Sequence, residues 1–150
     1  MKIKILPPLV MVIFGALMYA LDSFLPVGEF DFFGRKVLVY LIAAMAFIIM
    51  AIALIQFLKA KTTTNPIQLD KTTALVTSGI YDFTRNPMYL TMLLLLIAWG
   101  LRLGNAFNTL LAAGFVYYMN HFQIKYEEEA LLQQFGKEYQ LYKKAVRRWF

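Results

Sequence analysis

The sequence predicts an all-α, polytopic membrane protein with about four transmembrane helices and further C-terminal helices at the cytoplasmic or interfacial level. Three observations carry this. The chain has 150 residues, 60% of them hydrophobic and 16% charged; a soluble domain of that size would expose too much apolar surface. The charges are also segregated: residues 5–21, 37–58, 86–101 and 103–124 carry none, and a crossing takes roughly 20 apolar residues. Finally, apart from Arg35, Lys36 and Arg102, every lysine and arginine lies at the N-terminus, in the segment 59–87 or in the tail from Lys125 onward. The positive-inside rule puts those three regions in the cytoplasm and requires an even number of crossings.

The elements follow in order. The length supports one domain, 1–150. The first span is expected over about 5–24, with Pro7 and Pro8 in its first turn, where missing N–H groups cost little. Asp22-Ser23-Phe24 is a poor cleavage site, so the segment reads as a retained span. The second span is expected over about 36–58. A long polar loop follows, containing Lys61, Asn65-Pro66 and Asp70-Lys71. Spans three and four, about 87–101 and 105–121, form a tight hairpin. Gly100, Arg102, Gly104 and Asn105 between them are poor material for one lipid-facing helix. Helices at about 121–135 and 137–148 complete the chain, with Gly136 suited to a helix C-cap. Tyr139, Tyr142 and Trp149 fit an aromatic belt at headgroup level.

Composition also sets limits on the chemistry. There is no cysteine, so disulfides, thiolate catalysis and cysteine-bound metals are excluded. With a single histidine, a catalytic zinc site is not expected. The net charge of +6 is accounted for by membrane topology and gives no signal for nucleic acid. No metal or nucleic-acid partner is therefore expected.

Three groups of residues could carry function. In Thr77-Ser78-Gly79-Ile80-Tyr81 and Arg85-Asn86-Pro87-Met88-Tyr89, Asn86 is a good N-cap and Pro87 a good first helical residue. That places a helix N-terminus, able to bind a carboxylate or phosphate, at the cytoplasmic face with Arg85 beside it. A plain helix start with a snorkelling arginine has the same pattern. In the second group, Glu127, Glu128 and Glu129 directly follow a span. Adjacent helical residues diverge, so one or two can turn inward toward Arg85 while the rest form a solvated acidic face. The third is His121, either a proton acceptor or adenine contact, or an interfacial histidine with a local partner.

Taken together, Gly79-x-Tyr81-x-x-x-Arg85-x-Pro87-x-Tyr89, then Glu127-Glu128, then Phe135-Gly136-x-x-Tyr139-x-x-Tyr142 resembles the isoprenylcysteine carboxyl methyltransferase and phospholipid methyltransferase superfamily. The resemblance covers roughly residues 59–150. One departure is Asn86, where the family commonly has histidine; asparagine keeps the hydrogen bonding but cannot accept a proton near neutral pH. The resemblance implies an integral membrane enzyme of the bacterial inner membrane that uses S-adenosyl-L-methionine. It implies a cofactor site of Tyr81, Arg85, Asn86, Pro87, Tyr89, Glu127, Glu128, Tyr139 and Tyr142, with His121 nearby. Arg85 and Glu128 are the candidate catalytic residues, and Arg147 is a weaker candidate for binding an anion. The methyl acceptor would be a lipid-like or small molecule: a prenylated thiol carboxylate, a lipid amine or a thiol. An NADPH-dependent sterol-type reductase and a non-enzymatic scaffold or transporter subunit are the competing readings.

Overall fold

The computed structural model describes residues 5–25, 27–60 and 74–150. Lys2, Lys4 and the polar stretch with Lys61, Asn65-Pro66 and Asp70-Lys71 lie outside the described residues. Within them the protein is all-α. The sole β feature among the described residues is an isolated bridge between Glu29 and Asn105.

Helix α1 spans Pro7–Phe24, with both prolines in its first turn as expected. Helix α2 spans Arg35–Lys59 and starts after Gly34, whose φ is 85°. A short 3₁₀ turn, Gly79–Asp82, leads to α3, Pro87–Leu103. Gly104 stops α3 in the left-handed conformation, and its N–H donates to the Gly100 carbonyl. The expected hairpin follows, held by Asn105. Its Nδ2 donates to the Leu25 carbonyl and its Oδ1 accepts from the Phe107 N–H.

The next element departs from expectation. A span over 105–121 and a separate helix from 121 are replaced by one continuous rod. Helix α4, Asn108–Tyr118, passes through a π turn, Met119–Ile124, directly into α5, Lys125–Phe135. At roughly 1.5 Å per residue the rod is about 40 Å long. No glycine or proline interrupts 115–135, so nothing in the sequence forces a break there. Gly136, φ 51°, ends α5 as expected. Helix α6 is shorter than expected, Lys137–Ala145; Val146 is extended, and Arg147 and Arg148 lie beyond the helix.

Helix α3 is the central element and packs against α2, α1 and α4. Its Tyr89, Met92, Leu93 and Leu96 join Val10, Met18, Phe115 and Met119 in the main core. Helices α1 and α2 bury only a minority of their residues. They turn Val12, Ile13 and Leu17, and Val37, Leu41, Phe47, Ile48 and Ile55, outward. These two helices are long and apolar enough to cross a membrane, and α3 is a shorter apolar helix. An outward apolar face of that kind suits lipid rather than water.

Gly79 joins the end of α2 to the start of the site. Its φ is 68°, and a Cβ there would overlap the Gln56 side-chain amide. The Gln56 Oε1 in turn accepts from the Ile80 N–H. Gly79→Ala is therefore expected to lower stability by about 1–3 kcal/mol through backbone strain alone. Thermal unfolding in detergent measures this. Gln56→Ala added to Gly79→Ala relieves only the overlap, so the double variant remains less stable than Gln56→Ala.

Candidate functional site

The two motifs, far apart in sequence, meet at the carboxylate of Glu128. It sits in α5, is 6% exposed, and is held by three cations from different elements. Arg85, just before α3, places its guanidinium 3.0 Å from Glu128 Oε1. Arg148, in the C-terminal tail, makes a two-point contact, Nε to Oε1 at 2.7 Å and a terminal nitrogen to Oε2 at 2.8 Å. Lys143, on α6, reaches Oε2 at 3.3 Å. A fork-to-fork arginine contact of this sort fixes orientation as well as charge.

Burial by itself would raise the Glu128 carboxyl. The Arg148 hydrogen bonds, and then the charges of Arg85, Arg148 and Lys143, outweigh it and hold the group below its ordinary value. Tyr139 stands beside the pair and accepts from Arg85 at 3.5 Å. Its own burial, reinforced by the Glu128 charge, pushes its hydroxyl up to about 12. Burial likewise raises Tyr81 and Tyr142, so all three phenols stay protonated at neutral pH. The Tyr142 hydroxyl donates to the Tyr81 carbonyl at 2.8 Å.

The neighbouring glutamate takes a different role. Glu127 Oε1 accepts from the Tyr89 hydroxyl and from Gln123 Nε2. The π turn carries Gln123, and it directly precedes the helix that holds Glu127 and Glu128; Glu129 remains exposed. A π turn inserted in an α-helix often marks such a site.

Between these groups lies a cavity of about 80 Å³. Arg85, Glu127, Glu128 and Tyr81 line it, with Phe57 of α2 and Val76 as apolar walls. Phe57 meets the Tyr81 ring edge-on at 5.4 Å. Arg85 Nε is buried here and has no hydrogen-bond partner among the described residues, so one donor of the guanidinium remains available to a ligand. Among the described residues, three cations surround Glu128, and Glu127 adds a second carboxylate to the same wall.

Several expected site residues take other positions. Asn86 does not cap α3 with its side chain. Its Nδ2 donates instead to the Arg148 carbonyl at 3.1 Å, and its N–H to Thr84 Oγ1. Thr84 Oγ1 donates to the same Arg148 carbonyl, and the Arg85 N–H to the Arg147 carbonyl. The segment before α3 thus serves to bind the tail. Pro87 is buried at the first position of α3. His121 is exposed and does not line the cavity. Its Nδ1 pairs with the Tyr117 carbonyl at 2.9 Å and its ring packs on Tyr117 at 4.1 Å, which is the interfacial alternative. Tyr139 and Tyr142, 2% and 9% exposed, lie in a buried cluster rather than an outer aromatic belt. Trp149 donates to Asn120.

Sequence reasoning passed over Arg148 and named Arg147. Arg147 contributes only its carbonyl here, and its side chain is exposed. Neighbours on an extended chain point opposite ways, and the sequence does not set the parity of a two-arginine tail. Lys143 and Gln123 were also missed. The only signal for Gln123 was its spacing of four residues from Glu127.

The chain belongs to the phospholipid methyltransferase family, whose model matches residues 34–138. That stretch runs from the start of α2 into the first turn of α6. It includes Arg85 and Glu128 and ends before Tyr139, Tyr142 and Arg148. A protein of Haemophilus influenzae described as uncharacterized is 50% identical over 62 residues, which is 41% of this chain and 98% of that protein. No solved structure matches the chain.

Two predictions follow from this geometry. Arg148→Ala should destabilise the folded protein by about 1–3 kcal/mol, as expected for losing hydrogen bonds to a buried charge. Arg147→Ala should stay within roughly 0.5 kcal/mol of wild type; denaturant unfolding in micelles compares the two. The depressed Glu128 carboxyl has its own pH signature. A group with a lowered folded pKa stabilises above its unfolded value, and that contribution is lost as pH falls through the folded value. The gap in unfolding temperature between wild type and Glu128→Gln should be full above the ordinary carboxyl value of 4.5 and shrink as pH is lowered below it.

Proposed function

We propose that the protein transfers a methyl group from S-adenosyl-L-methionine to a lipid-like or small acceptor at the cytoplasmic membrane face. The observation that carries this is the convergence of the two family motifs on one buried cluster, Arg85–Glu128, at a tyrosine-walled cavity. Membership of a methyltransferase family supports the class of reaction and does not favour the reductase or scaffold readings. The proposed arrangement has four crossings, with both termini and the Arg85–Glu128 site inside.

The side chains present fit such a cofactor in kind. Arg85, through its unpaired Nε, is the donor for a ligand carboxylate. Glu127 or Glu128 would accept from an ammonium group or from ribose hydroxyls. Tyr81, Phe57 and Leu131 offer apolar and aromatic surface to a base. The cavity of about 80 Å³ takes one end of such a ligand, since sites for whole cofactors run to about 300–1,000 Å³.

When bound, the cofactor supplies a sulfonium-activated methyl group. The task left to the protein is alignment and exclusion of water. Arg85 and Glu128, fixed by their contacts with each other and with Arg148, hold the binding surface rigid. Asn86 and His121 are not needed as proton carriers if the acceptor is a carboxylate or thiolate. An amine acceptor must lose a proton, and Glu127, bonded to Tyr89 and Gln123, is then the better-placed base.

Calorimetric titration of detergent-purified protein with S-adenosylmethionine and S-adenosylhomocysteine, with NADPH as control, tests the reading. The expected result is saturable binding of the adenosyl ligands that is lost in Glu128→Gln. Binding of NADPH alone, or of neither ligand to folded protein, contradicts it. Arg85→Ala should weaken binding more than Lys143→Ala, because Arg85 is nearly buried and Lys143 is 46% exposed and screened by solvent.

A further inference from the structure

A second cavity lies at the other end of α3, between α1, α3 and α4. Its volume is about 220 Å³, larger than the cavity of roughly 150 Å³ that suffices to bind benzene. Its walls include Met18 of α1, Leu96 and Gly100 of α3, and Asn108, Thr109 and Ala112 of α4. It stands about 20 Å along α3 from Arg85, at roughly 1.5 Å per residue. Among the described residues, no ionisable side chain lines it.

Asn108 makes this more than a packing defect. The residue is 2% exposed, and both its amide nitrogen and its amide oxygen lack a hydrogen-bond partner among the described residues. Its neighbour Asn105, equally buried, has both amide atoms satisfied. The loop chemistry therefore uses Asn105, and Asn108 is left over. A buried primary amide with donor and acceptor both unpaired is costly and implies a polar group within the cavity to meet it.

We propose that this cavity binds the head of a neutral acylglycerol from the membrane, with Asn108 as the recognising residue. The unpaired Nδ2 and Oδ1 call for an acceptor and a hydroxyl donor side by side, as in an ester carbonyl next to a glyceryl hydroxyl. The absence of ionisable side chains from the wall selects a neutral head over a phosphate or an amine. The Met18, Leu96 and Ala112 surface takes the first methylenes of the acyl chain, and the rest leaves between the helices into lipid. Gly100 allows the close approach of α3 and α4 on which the pocket depends: a Cβ there would lie 3.3 Å from the Asn108 Cβ. The site is separate from the Arg85–Glu128 cluster and does not depend on the methyl-transfer reading.

Native mass spectrometry of the intact chain in detergent, titrated with 1-monoolein, tests this, with 1-octadecene as the apolar control. The expected result is one saturable 1-monoolein adduct per chain and no saturable adduct of 1-octadecene. Asn108→Leu should weaken 1-monoolein at least tenfold. Ala112→Phe, which fills the cavity and keeps the amide, should do the same, and unfolding temperature verifies that each variant is folded. Equal retention of 1-octadecene, or wild-type affinity in both variants, overturns the proposal. So does the absence of any saturable adduct, which would leave water as the partner of Asn108.

Discussion

A buried carboxylate is unstable unless cations come to it, and Glu128 draws them from three parts of the chain. Arg85 precedes α3, Lys143 lies on α6 and Arg148 lies in the tail. Meeting that requirement fixes much of this end of the protein. The tail must cross the start of α3, and it does so by hydrogen bonds from Thr84, Arg85 and Asn86 to the Arg147 and Arg148 carbonyls. Helix α6 must fold back over the cluster, which buries Tyr139 and Tyr142 against Ala53 of α2. The apolar helices provide the frame, and the ion cluster determines how its end is closed.

The π turn connects this cluster to the membrane part. Glu127 and Glu128 both lie in α5 and still diverge by about 100°; what the π turn changes is the rotation of α5 relative to α4. The turn at Met119–Ile124 shifts the helical phase just where the rod passes from the buried Phe115 and Met119 to the acidic segment. Glu127 then meets Tyr89, and Glu128 meets Arg85. The family match ends at residue 138, before the tail that supplies Arg148. Lys143 and Arg148 thus both lie beyond the matched region, and Arg85 lies within it.

Much of this was legible in the sequence. The charge-free runs located α1, α2 and α3, the prolines the starts of α1 and α3, and Gly104 and Gly136 the ends of α3 and α5. Arg85, Tyr81, Tyr89, Glu127 and Glu128 were singled out, and the structure gathers them. What was not legible depended on geometry that composition does not encode. A continuous α4–α5 rod and a broken one have the same sequence signature when no glycine or proline lies between. Arg147 and Arg148 differ only in the parity of an extended segment. Asn86 has the side chain of a good cap, yet tertiary contact with the tail took it instead. His121 looked functional because it is the single histidine, but a carbonyl four residues back already occupies its Nδ1.

The central claim is that Arg85 and Glu128 act as one binding unit. A double-mutant cycle on S-adenosylhomocysteine affinity, using wild type, Arg85→Ala, Glu128→Gln and the double variant, measures this directly. The account predicts strong non-additivity: each single change removes most of the binding and the double variant is hardly worse, a coupling of about 1 kcal/mol or more. Additive losses, or single variants that bind like wild type, would show that the pair is structural and that the ligand, if any, binds elsewhere.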